Sequence, residues 1–147
     1  MISAVAPSAA AATGSHFTSG SPHQIVSGVC QGDVYRPTET RSGEHRYVDF
    51  YTWVECITVG VALDEIRSWI RLEFYFNGPS GHGQWLPVTA WRVRYFAGAN
   101  ETRFGNPQSW ECEGAYNGQF RAQAYAKADL ADGTVIRFPE GSGYASS

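Results

Sequence analysis

Apolar and polar side chains alternate along residues 46–56, so that Val48, Phe50, Thr52, Val54 and Cys56 fall on one face and Tyr47, Asp49, Tyr51, Trp53 and Glu55 on the other. That period of two predicts a strand, with the first set turned to a core. The same rhythm in EIRSWIRLEFYF turns Ile66, Ile70, Leu72, Phe74 and Phe76 inward, and Arg67, Trp69, Arg71, Glu73 and Tyr75 outward. NGPSGHGQW then reads as a Gly-rich loop. Residues 91–96 and 119–128 predict further strands, the latter with Phe120, Ala122, Ala124, Ala126 and Ala128 along one face. Such a row of small side chains lets an opposing sheet approach closely. Asp132 and Gly133 form a turn signal that feeds a last strand through Val135, Ile136 and Phe138. Strands separated by turn signals, with no helical period between them, predict an all-β, antiparallel, immunoglobulin-like β-sandwich; a closed barrel is the alternative.

The chain of 147 residues suits one such domain. MISAVAPSAAAATGS is apolar and ends in small residues, so residues 1–12 read as the remnant of a secretory signal peptide whose charged start lies upstream. Residues 13–24 are rich in Ser and Gly and read as a flexible extension, and residues 25–147 as the sandwich domain. Extended, residues 13–24 reach about 40 Å. That is enough to lie in a partner's groove, with Phe17, Ile25 and Val26 as apolar anchors. The expected location is extracellular.

Export bears on the three cysteines, because a pair within reach closes in an oxidising compartment. Cys30 with Cys56 is the favoured pairing, Cys56 with Cys112 the rival. A net charge of −3 and singly scattered arginines argue against nucleic acid or an anionic membrane as partner. The histidines lack the spacing of helical metal ligands, and no nucleophile elbow or phosphate-cradling glycine loop occurs. No catalytic residue, metal or cofactor is therefore expected. The outward rings carry the functional expectation instead: Tyr47, Tyr51, Trp53, Trp69 and Tyr75 are read as partner-binding, since tyrosine and tryptophan dominate interface hot spots.

Four stretches taken in order, VSGVC, WVEC, VGVALDEIRSWIRLEFYFNG and WECEGAYNGQFRAQAYAKADLADGT, resemble the small secreted immunoglobulin-like proteins of Streptomyces and related actinobacteria. In that family cysteines precede the first strand blocks, a third precedes a G-x-Y/F-x-A-x-A strand, and a fourth often closes the chain. The terminal SGYASS lacks that fourth cysteine, which leaves the partner of Cys112 open. The family includes the adaptor subunit of umbrella toxin particles, which joins a lectin-like subunit to a large repeat-containing toxin. The resemblance implies a secreted, non-catalytic adaptor with two protein partners in an antibacterial toxin complex. Two alternatives remain. One is a carbohydrate-binding module using the same rings with Trp85, Trp91 and Trp110; the other is a protease inhibitor using the loop at NGPSGHGQWLP.

Overall fold

The computed structural model describes residues 15–18, 28–58, 60–79, 81–97, 103–112, 118–138 and 143–146. Strands dominate them: β1 (Ser15–Thr18), β2 (Gly28–Val34), β3 (Thr38–Ser42), β4 (His45–Thr58), β5 (Leu63–Asn77), β6 (Gly83–Pro87), β7 (Arg92–Ala97), β8 (Arg103–Glu111), β9 (Phe120–Leu130), β10 (Val135–Arg137) and β11 (Gly143–Ser146). All pairings are antiparallel and fall into two sheets. In the first, β1 pairs β2, β2 and β3 follow one another along one side of β4, and β8 takes the other side. In the second, β10 and β11 run along one side of β9, β5 takes the other, and β6 and β7 line the far side of β5. The chain changes sheet after β4, β7 and β8, the adjacency of an immunoglobulin-like sandwich.

The core follows from the alternation. Val48, Phe50 and Val54 of β4 face Ile66, Ile70 and Leu72 of β5 and the alanine row of β9, all buried. Each large side chain so buried contributes about 1.5–3 kcal/mol. Phe76 lies on the inward side of β5 yet is exposed, because β9 ends opposite Phe74 and the β5–β6 hairpin continues past it. Cys30 and Cys56 sit directly opposite each other in β2 and β4, with Cα atoms 4.0 Å apart, and form the disulfide. Cys112 is free and buried.

Three features depart from expectation. Ser15–Thr18, inside the stretch read as a loose extension, pairs with β2, and Phe17 is only 4% exposed. Its ring is seated on Gly32 and meets Phe138 edge-on at 5.1 Å, so Phe17 is a core residue and not a free anchor. Ile25 and Val26 lie outside the described residues, as do the signal-peptide stretch and most of the extension. Second, Gly83–Pro87 of the supposed loop is a strand. Third, β8 has no counterpart in the sequence reading. Gly105, Asn106 and Pro107 hide it, and Pro107 is tolerated because β8 pairs only on its β4 side.

The two sheets are tied along their β7 and β8 edges. Arg92 Nη1 donates to the Ser109 carbonyl at 2.7 Å and Arg94 Nη1 to the Gly105 carbonyl at 3.2 Å. Asn106 is fully buried and spans the sandwich, its Nδ2 donating to the carbonyls of Ser68 and Arg92 at 2.9 and 3.2 Å.

Candidate functional site: an arginine-laced aromatic face

The outer face of the second sheet is built by the odd positions of β5 and β9. Register places Trp69 opposite Tyr125, and their rings stack at 4.8 Å with 6° between planes. Trp91, just before β7, meets the same Tyr125 edge-on at 4.9 Å. The Arg71 guanidinium covers the Trp91 ring at 4.5 Å, that of Arg121 covers Trp85 at 4.7 Å, and that of Arg67 covers Tyr95 at 5.2 Å. Tyr75 meets Trp85 edge-on at 5.2 Å. Each cation over a ring contributes about 0.5–2 kcal/mol, more where water is excluded.

Glu73 locks this mesh. It points outward yet is only 2% exposed. Arg121 Nε donates to Oε1 at 2.5 Å, while Arg71 reaches Oε2 through Nε at 2.9 Å and Nη2 at 2.7 Å. Both carboxylate oxygens are thus paired, as a buried charge requires. Arg71 also donates to Gln123 Oε1 at 3.2 Å. Every ring of the face is therefore held by a neighbour on another strand.

The outer face of the first sheet carries Tyr47, Tyr51 and Trp53 from β4. Trp53, expected to be available to a partner, is 5% exposed and is sealed by its own chain. Its Nε1 donates to Tyr35 Oη at 2.8 Å, and the Arg103 guanidinium lies 3.9 Å over its ring. Tyr51 stacks on Tyr35 at 5.4 Å and lies on Gly105, where a Cβ would come within 2.8 Å of Tyr51 Oη. Burial, with Tyr35 nearby, raises the Tyr51 phenol above its ordinary pKa, against the opposing charge of Arg103. Tyr47 is half-buried at the far end of β4, 6.2 Å from the His45 ring.

Of the expected partner-binding residues, then, Trp69 and Tyr75 lie together on the second sheet, Tyr51 and Trp53 form a closed cluster on the first, and Phe17 is internal. Sequence reasoning missed Tyr95 and Tyr125 as members of the face. It had placed Trp85, Trp91 and Trp110 on one platform, but Trp110 is packed 6.1 Å from Phe120 at the core. The signal available was the arginine interleaved with aromatics in IRSWIRLEFYF and WRVRYF.

Two further charged pairs join strands of the first sheet. His45 Nδ1 bonds Glu111 at 2.7 Å and Arg46 Nε donates to Glu39 at 2.6 Å, both on the surface. Among the described residues no three His, Cys, Asp or Glu side chains converge as metal ligands. Comparison with protein-family models finds no match, and a search of curated proteins finds no similar sequence.

Proposed function

We propose that this chain is an exported, non-catalytic adaptor that binds other polypeptides through the outer face of β5 and β9. The supporting observation is the mesh itself: tyrosine, tryptophan and arginine, the residues that carry most interface energy, are already fixed in place by Glu73 and by one another. Side chains ordered before contact lose little entropy on binding. A sugar-binding platform needs open ring faces, whereas Trp69 is stacked on Tyr125, and Trp85 and Trp91 lie under guanidinium groups. The inhibitor reading needs a free loop, much of which is here β6.

The Cys30–Cys56 bridge supports an oxidising, extracellular location. Among the described residues no helix is long and apolar enough to cross a membrane. The resemblance to small secreted actinobacterial sandwiches supplies the finer reading, an adaptor between a lectin-like subunit and a large repeat-containing toxin. Affinity capture with the full chain from the culture medium of its producer, with identification of retained polypeptides, tests this. A toxin and a lectin together are the expected result; retention on polysaccharide without either contradicts it.

A further inference from the structure

The β6 edge of the second sheet lacks the charged guards that sheet edges normally carry. The Tyr75 N–H donates to the Gln119 carbonyl at 2.9 Å, on the β9 side, and the Leu72 carbonyl accepts from Val88 on the opposite side. Even residues at this end of β5 therefore bond to β6, which makes Phe74–Leu86 and Phe76–Gln84 the hydrogen-bonded pairs. The peptide groups of Gly83, Trp85 and Pro87 consequently point out of the sheet. Pro87 occupies one of these outward positions, where a missing N–H costs the β5–β6 ladder nothing. Among the described residues no strand pairs with that outer side.

Edges that must stay solitary are usually blunted by charge, above all by lysine, or by proline, and of these β6 carries only Pro87, at the end of its outward row. Gly83–Pro87 contains no charged residue. Leu86 is 40% exposed, beside the exposed Phe76, while Trp85 is held on the opposite face by Arg121 and Tyr75.

We propose that β6 is a self-pairing edge, on which two copies of this chain join their second sheets antiparallel about a two-fold axis at Trp85. In this register each Trp85 donates its N–H to the other copy's Trp85 carbonyl, and each Gly83 N–H meets the other copy's Pro87 carbonyl. Only the Gly83 carbonyl, opposite the proline nitrogen, is left to solvent at each end. The strand is thus complementary to itself, as a two-fold interface requires. The strand itself carries no charge, and the Arg121 that lies over each Trp85 is neutralised by Glu73. Trp85 faces Trp85, a favourable cross-strand aromatic pair, and Leu86 faces Gln84. The result is one continuous sheet that carries both copies' aromatic faces. This pairing rests on the edge alone and does not depend on the adaptor reading.

Sedimentation of the full chain over a concentration series tests it. The wild type is expected to pass reversibly from monomer to dimer. Leu86→Lys, at an exposed position, is expected to weaken association by at least about tenfold while leaving the thermal transition in place. The double variant Gln84→Glu with Leu86→Lys sets the new carboxylate of each copy opposite the new ammonium of the other in this register, and is expected to restore the dimer. A wild type that stays monomeric throughout overturns the proposal, as does a dimer that Leu86→Lys leaves intact or that the double variant fails to rescue.

Discussion

The ring of Phe17 lies across the backbone of Gly32, its direct partner in the β1–β2 ladder. A Cβ on Gly32 would come within 2.8 Å of that ring and would collide with the Trp53 carbonyl. The missing side chain is the socket, and Phe138 from the opposite sheet closes it. Phe17→Ala should therefore cost about 3–5 kcal/mol, as for other buried phenylalanines. Gly32→Ala should cost about 1–3 kcal/mol through overpacking. Removal of residues 13–24 should lower the urea midpoint rather than leave it unchanged, since β1 leaves with them. Equilibrium unfolding of the three variants checks this.

The Cys30–Cys56 bridge closes a loop 26 residues in sequence separation, which the chain-entropy relation values at about 3.5 kcal/mol. Replacement of both cysteines by serine should lower stability by roughly that amount. Thiol titration of the native wild type should find no fast-reacting group, and one should appear on unfolding, because Cys112 is buried. Three reactive thiols in the oxidised protein would contradict the pairing.

Asn106 joins the sheets through two main-chain carbonyls that no apolar replacement can serve. Asn106→Ala and Asn106→Leu should both be destabilising, by about 1–3 kcal/mol for the buried carbonyls left unpaired. Calorimetry distinguishes this from a simple cavity, for which the leucine variant would recover most of the loss.

Tyr51 gives the fold an alkaline limit. Its phenol is raised above 10.0, first by burial and then by Tyr35, so the folded state holds that proton more tightly than the unfolded chain. The corresponding stability is fully present below the ordinary tyrosine pKa of about 10 and is lost as pH rises through the folded value. Denaturant midpoints should fall above that pH, and Tyr51→Phe should flatten the decline.

Much of the sandwich was legible because burial in β4, β5 and β9 obeys the period of two: Val48, Phe50, Val54, Ile66, Ile70 and Leu72 are inside as the alternation requires. The disulfide was legible because Cys30 and Cys56 both fell on strand faces early in the chain. Trp53 was placed on its correct face, yet its burial depends on Tyr35 and Arg103, which arrive from outside β4. Phe17 depends in the same way on Gly32 and Phe138. β8 escaped because its inward polar residue, Asn106, is satisfied by carbonyls of the other sheet, a relationship no local pattern carries. The candidate face was half legible: Trp69 and Tyr75 follow from alternation, but their partners Tyr125 and Trp85 come from strand pairing.

The outer face of β5 and β9 as a polypeptide-docking surface is tested most directly by paired capture with the wild type and Tyr95→Ala. Tyr95 is 59% exposed and meets the face through Arg67, so its removal should change stability by less than about 0.5 kcal/mol. The expected result is polypeptides retained by the wild type and released from the variant, with a loss of more than about 1 kcal/mol in affinity. Equal retention by both proteins, or binding to polysaccharide with no polypeptide retained, would contradict it.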